Sequence, residues 1–219
     1  MGSGQWAVGS GQWAVGSGQR AAGSVAGGGA IDDEQAGAGV PILETTRLRL
    51  RAPRLDDAAH QHAYAREPEV AEPGMWAPLA TLEENRRDLV ETLERLACGE
   101  AIEWGIEHRD ERRLIGRCGF VRLRPAHRSA ELGYALARPY WGCGYMGEAL
   151  AAVLAYGFER LALHRVEAIC LADNAGSIRV LDKAGFRHEG TAREAYLLHG
   201  AYHDLRRYAL LRREWEPSR

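Results

Sequence analysis

The stretch Arg138-Pro-Tyr-Trp-Gly-Cys-Gly-Tyr-Met-Gly-Glu-Ala-Leu150 holds Gly142, Gly144 and Gly147 between an alternating run at 129–137 and a run of helical period at 147–161. A glycine turn that opens a helix lets main-chain N–H groups converge, and the positive end of the helix dipole adds to their field. Such a turn is an anion site suited to a phosphate. Three glycines at a helix start exceed what a purely structural turn requires, which favours phosphate binding over a plain connection.

The chain around this loop has 219 residues, enough for one full core or for one domain with a tail. Lys+Arg number 28 against 30 Asp+Glu, so nothing points to a nucleic-acid surface. The four cysteines, Cys98, Cys118, Cys143 and Cys170, are scattered without metal-ligand or redox spacing, which implies reduced thiols and no metal. No apolar run has the length of a membrane span, and no signal peptide is visible. The expectation is a soluble cytoplasmic protein.

Residues 1–40 are a different material. Gly-Ser-Gly-Gln-Trp-Ala-Val occurs at 2–8, recurs at 9–15 and starts again at Gly16 before breaking off at Arg20. This Gly/Ser/Ala-rich extension has too little apolar surface to offset its ordering entropy, so it is expected to be disordered, with the domain at 41–219. In the domain, alternation predicts a first strand over 42–52, and helical signals follow at 55–66. Residues 67–78 read as irregular. Thr81 opens a long helix to residue 97 with Glu84 as capping-box partner, and Gly99 closes it.

Strand patterns at 101–107, 114–123 and 129–137 are joined by short polar turns, as in an antiparallel meander. After the loop and its helix, 166–172 is a near-continuous apolar run, the pattern of a strand covered on both faces. Asp173-Asn174 starts a short helix that Gly185 closes, and a hairpin follows with strands at 187–197 and 203–215 turning at His199-Gly200. The sum is an α+β (mixed α/β) domain with one central sheet.

Gly142-x-Gly144-x-x-Gly147 also matches the dinucleotide-binding fingerprint, with Glu167 twenty residues beyond. That reading, an NAD-linked oxidoreductase, is disfavoured because Arg138-Pro-Tyr-Trp separates the strand from the first glycine and only one more βα pair follows. A P-loop is excluded because Glu148 and Ala149 stand where Lys and Ser/Thr are required.

Four runs then carry a resemblance: Ala130-Glu-Leu-Gly-Tyr134, Tyr140-Trp-Gly-Cys-Gly-Tyr-Met-Gly-Glu-Ala-Leu150, Asn174-Ala-Gly-Ser177 and Lys183-Ala-Gly-Phe186. Together they resemble the GNAT superfamily of N-acetyltransferases, and within it the group that acetylates ribosomal-protein N-termini (the RimJ/RimL type). Gly200-x-Tyr202-x-Asp204 and Tyr208 are similar to that group's last hairpin. The likeness spans about residues 42–215. It implies a mostly antiparallel twisted sheet of about seven strands, splayed like a V between strands 4 and 5 and flanked by about four helices.

The resemblance further implies acetyl-CoA as co-substrate and an amine acceptor, either a protein N-terminus or a small-molecule amine, in a monomer or homodimer. Coenzyme contacts then fall on Tyr134, Ala135 and Leu136, on Trp141, Gly142, Cys143, Gly144, Tyr145, Met146 and Gly147, and on Asn174 and Ser177. The superfamily pattern Gln/Arg-x-x-Gly-x-Gly/Ala falls on Trp141, Gly144 and Met146, so Met146 replaces its last small residue and has to point its side chain away from the coenzyme. Glu131 is the candidate base and Ser177 the candidate acid to the thiolate; a solvated strand residue and a coenzyme contact are the plainer alternatives. Leu181 stands where many relatives carry a tyrosine that acts as acid to the thiolate, and Tyr196 where the ribosomal-type group carries a glutamate; Glu194, one alternation away on the same face, is the substitute for it. Those departures leave a non-catalytic acyl-CoA-binding module as the alternative. Acceptor specificity is assigned to 67–104 and the hairpin, with Trp76, Trp104 and Tyr196 as pocket walls.

Overall fold

The computed structural model describes residues 39–215. The extension expected at 1–40 lies outside the described residues except for Gly39 and Val40. Val40 packs against the core and the Pro41 carbonyl accepts from Trp104 Nε1 at 2.7 Å.

The predicted first strand is two strands, β1 (Leu43–Glu44) and β2 (Leu48–Arg51), paired antiparallel. Thr45 breaks it: its N–H donates to the Leu48 carbonyl and its Oγ1 accepts from Leu48 N, which closes a turn. After β2 a 3₁₀ turn leads into α1 (Ala58–Ala65), and the segment expected to be irregular contains the short α2 (Pro68–Ala71), opened by proline in its first turn. In α3 (Leu82–Ala97) Thr81 and Glu84 form the predicted capping box. The meander follows as β3 (Ile102–His108), β4 (Arg113–Arg124) and β5 (Ser129–Leu136).

Helix α4 (Tyr145–Ala155) begins two residues earlier than its apolar period predicts, so Gly147 lies in its first turn, and its last turn is a π-turn over Tyr156–Arg160. Then come β6 (Arg165–Leu171), α5 (Ala175–Lys183), the hairpin β7 (Arg187–Leu198) and β8 (Ala201–Leu211), and the four-residue α6 (Arg212–Trp215). The end of α5 is the Schellman form its sequence predicts, with Gly185 at φ +84° and Phe186 N–H bonded to Leu181 O at 3.0 Å.

The described strands form one eight-stranded sheet ordered β1-β2-β3-β4-β5-β6-β8-β7, antiparallel except for β5 with β6. Pairing of β5 with β6 stops after three residues, Ser129 to Glu131 against Arg165 to Glu167. Alternation along β5 sends Ala130, Leu132, Tyr134 and Leu136 to the face where α4 and α5 pack around Phe120, Leu150, Val153 and Leu181. Glu131, Gly133 and Ala135 take the opposite face, where Ala135 joins Val121 and the α1–α2 residues Tyr64 and Val70.

On that second face a buried ion network anchors the start of the domain. Arg51 Nη1 and Nη2 donate to the two Asp57 oxygens at 2.8 and 2.7 Å, and its Nε donates to Glu107 at 2.8 Å. Asp57 is 3% exposed and also accepts from Arg54 N–H. Removing one partner of a buried pair strands the other charge away from water. Asp57→Ala is therefore expected to lower the unfolding free energy by about 3 kcal/mol, measured by urea titration; a change within about 0.5 kcal/mol would show that Glu107 alone compensates Arg51.

Candidate active site

The glycine loop is held from outside by a carboxylate. Glu148, in the first turn of α4, accepts from Thr45 Oγ1 at 2.6 Å, from Arg47 N–H at 2.8 Å and from Arg47 Nε at 2.7 Å. Arg47 also donates Nη1 to the Cys143 carbonyl at 3.0 Å and lies 4.2 Å over the Tyr145 ring. The residue that excludes a P-loop thus ties the β1–β2 turn to the loop. Burial pushes the Glu148 carboxyl up, and its three hydrogen bonds outweigh that and hold it below the usual carboxylate range.

Gly142 and Gly144 adopt φ of +76° and +82°, the left-handed region that favours glycine. The first intrahelical bond of α4 runs from Glu148 N to Gly144 O, so the N–H groups of Tyr145, Met146 and Gly147 precede it and carry no intrahelical acceptor. No heavy atom lies within 4 Å of where a Gly147 Cβ would stand, which leaves this backbone open to a ligand. Met146 is buried in the core, as the fit to an anion site requires. Trp141 adds a clasp on the strand side, donating Nε1 to Leu136 O at 2.6 Å.

The loop opens on a cleft of about 600 Å³ between the diverging strands. Glu131, Tyr134, Ala135, Leu136, Trp141, Gly142, Gly144, Tyr145, Met146, Gly147, Asn174 and Ser177 all line it. Cys143 does not; its side chain is exposed and its carbonyl accepts from Arg47.

Glu131 sits where the β5–β6 pairing ends and is 3% exposed. Burial raises its carboxyl above the ordinary range, and Arg122 and Arg124, at 3.8 and 3.6 Å, draw it partly back. Across the cleft Ser177 lies in the first turn of α5, where Asn174 Oδ1 accepts its N–H at 2.9 Å. Asn174 is thus the N-cap, and its Nδ2 also reaches the Pro73 carbonyl at 3.1 Å. Ser177 Oγ and Tyr134 Oη are 2.6 Å apart. The Cys170 thiol, also in the lining, is pushed up by burial and drawn partly back by the Ser177 hydroxyl.

Three sequence expectations change here. Trp104 is no pocket wall: it is fully buried in the core beside Phe120 and Tyr156. Tyr196 acts as a buttress, donating to the Met75 carbonyl at 2.7 Å, and Trp76 alone of the three lines the cleft. Glu194 cannot replace a hairpin glutamate by alternation, because a bulge between Ala192 and Tyr196 breaks the period; it is exposed, at φ +51°, with its N–H on Asp204. Sequence reasoning missed Arg47, which had no signal beyond strand alternation; the predicted wall Trp76 is joined in the lining by Met75, held at φ +62°. Among the described residues no group of three or more His, Cys, Asp or Glu is placed to hold a metal, and no helix is long and apolar enough to cross a membrane.

Comparison with known proteins agrees with this geometry. Residues 47–187 match the model of an acetyltransferase (GNAT) domain. The N-acetyltransferase YoaA of Bacillus subtilis, itself uncharacterized, is 36% identical over 175 residues, covering 78% of this chain and 97% of its own. The [ribosomal protein uS5]-alanine N-acetyltransferase of Escherichia coli is 32% identical over 122 residues, 55% of this chain and 63% of its own. Among solved structures, RimL, a ribosomal L7/L12 alpha-N-protein acetyltransferase in its apo form, superposes with a TM-score of 0.72 at 26% identity, covering 78% of this chain and 94% of its own.

Glu148→Gln tests the clasp. Hydrogen bonds to a charged group contribute about 1.5–3 kcal/mol, and this one is partly exposed, so a loss of about 1–2 kcal/mol is expected. Because the folded carboxyl titrates lower than the unfolded one, its contribution is complete above the unfolded value of about 4.3 and disappears as pH falls through the folded value. Stability curves of the two proteins should therefore converge in acid; a pH-independent gap would assign the loss to packing.

Proposed function

The chain belongs to the acetyltransferase (GNAT) family, whose acetyl donor is acetyl-CoA, and we propose that it acetylates a primary amine, with a protein N-terminal α-amine as the acceptor class. The catalytic unit lies within 41–219, with 1–40 an extension outside it. The observation that carries the reading is the cleft itself. Main-chain N–H groups converge at its α4 end, and Glu131 and Ser177 line its walls.

The fit to the coenzyme is argued from those groups. The N–H groups at 145–147 suit the pyrophosphate, and the open backbone at Gly147 allows its close approach. Residues 134–136 of β5, past the end of the β6 pairing, offer backbone groups to the amides of the pantetheine arm. Asn174 has one Nδ2 hydrogen left for that arm after capping α5 and holding Pro73.

In the transfer, the amine nitrogen forms a bond to the thioester carbon, the C–S bond breaks with its electron pair on sulfur, and the nitrogen gives up a proton. Glu131 accepts that proton, directly or through water. Its raised carboxyl is a stronger base than an exposed glutamate. An α-amine, with a reference pKa of about 7.7–8.0, is partly neutral near pH 7, whereas a lysine at about 10.4 is not. One carboxylate therefore suffices for an N-terminus. An enzyme named for an alanine of ribosomal protein uS5 among the relatives supports the same acceptor class.

The rival is a coenzyme-binding module without turnover, favoured by Leu181, which is fully buried where many family members carry a tyrosine acid. Free-thiol release from acetyl-CoA across a panel of N-terminal peptides, lysine peptides and small amines decides between them; binding without thiol release selects the module. Gly144→Glu puts a strained, negatively charged side chain in the loop. It should weaken acetyl-CoA binding by at least about 100-fold, as losing two contacts of about 1.5–3 kcal/mol each implies. Unaltered affinity by calorimetry in a folded variant would remove the phosphate assignment.

Glu131→Gln is read in a pH–rate profile. Below the raised Glu131 value the wild-type carboxyl is itself protonated, so the two enzymes should meet there. The deficit should be largest between that value and the amine's about 7.7–8.0, and shrink near pH 9, where the amine is already neutral. A profile like wild type would remove Glu131 from the mechanism.

A further inference from the structure

The acid position on α5 is filled by Leu181, fully buried, and Ser177 is the one hydroxyl on that helix. A lone serine hydroxyl rotates freely and spends much of its time aimed elsewhere. This one has a partner. Tyr134, three residues past the end of the β5–β6 pairing, reaches across the cleft and brings Oη to 2.6 Å from Ser177 Oγ. The serine backbone is fixed as well, since Asn174 Oδ1 holds its N–H.

We propose that Tyr134 is a positioning residue for the leaving sulfur: its phenol donates to Ser177 Oγ and so turns the serine's own hydrogen toward the coenzyme thiolate. This rests on the acetyl-transfer reading above.

The direction of the short bond follows from acidity. A phenol is the more acidic O–H of the two, so its hydrogen occupies the 2.6 Å bond. The alternative acceptor for that hydrogen, the Ser177 carbonyl, is 3.5 Å away, too long to compete. With one lone pair of Oγ engaged by Tyr134, the serine hydrogen is left for another acceptor. Burial raises the Cys170 thiol in the same lining. Burial likewise keeps the Tyr134 phenol protonated, so it acts as a donor and not as a proton source. No proton leaves the serine or the tyrosine. The C–S electron pair stays on sulfur, hydrogen-bonded by Ser177, and the thiolate takes its proton from water.

Free CoA is the probe, titrated on the protein while thiolate absorbance is followed as a difference against desulfo-CoA, which lacks the sulfur. Wild type should bind the thiol with a pKa below that of CoA in solution. Ser177→Ala and Tyr134→Phe should each raise it by about one unit, a tenfold change, and the double variant should match Ser177→Ala alone. At saturating acetyl-CoA, kcat should fall about tenfold in both single variants while coenzyme affinity stays within about twofold. Tyr134→Phe keeps the ring, so retained affinity certifies a folded site. A Tyr134→Phe protein with intact CoA binding and wild-type thiol pKa would overturn the proposal and leave acetyl transfer standing. Effects that add in the double variant would overturn it too, since they make the two hydroxyls independent. Failure of wild type to bind CoA would instead overturn the acetyl-transfer reading itself.

Discussion

The parallel pairing of β5 with β6 lasts three residues, and the rest of the site depends on its ending there. Backbone N–H and C=O groups removed from water must find partners, so a sheet that opens in its middle needs something to fill the gap. Part of the answer is internal: the Trp141 indole takes the Leu136 carbonyl. The remainder is a cleft of about 600 Å³ whose edges are main chain, which is why it suits a ligand carrying amides and phosphates. Glu131 is the last residue of β5 paired with β6, so the same event that opens the sheet places a carboxylate at the root of the opening.

Charge is distributed around this gap so that each carboxylate has a different task. Glu148 and Arg47 neutralise one another outside the loop and brace it, leaving the helix N-terminus as a positive feature facing a cleft whose lining also holds Arg179 and Lys183. Glu131 is buried beside two arginines that stand beyond hydrogen-bond distance, and burial wins, so it is held above the ordinary range. Glu148 is held below that range by three hydrogen bonds despite its own burial. Two glutamates on adjacent elements are thus driven in opposite directions by their surroundings.

The far wall is assembled from sequence-distant pieces. Asn174 caps α5 and holds Pro73, Tyr196 of the hairpin holds Met75, and Met75 keeps a left-handed backbone that a non-glycine residue adopts only when its surroundings impose it. These bonds place Trp76 against the same cleft that Ser177 and Tyr134 line. The α5 wall and the Pro73–Trp76 wall therefore share Asn174 as a common strut.

Local rules were enough for much of this. The capping box at Thr81 and Glu84, the Schellman end at Gly185, the hairpin turn at His199-Gly200 and the glycine loop each depend on residues within a few positions of one another, and each was legible in the sequence. The family likeness added the splay and, with it, the residues that line the cleft, Cys143 excepted. What tertiary structure decided are matters of side-chain direction and long-range pairing. A threonine turn divided the first strand, a bulge removed Glu194 from the face that alternation assigns it, and Trp104 went to the core because its register on β3 faces α4. Arg47 with Glu148, and Tyr134 with Ser177, are contacts across 101 and 43 residues of chain. No periodicity or spacing encodes such pairs, because a local pattern reports which face a residue occupies and only the packed sheet determines what stands opposite it.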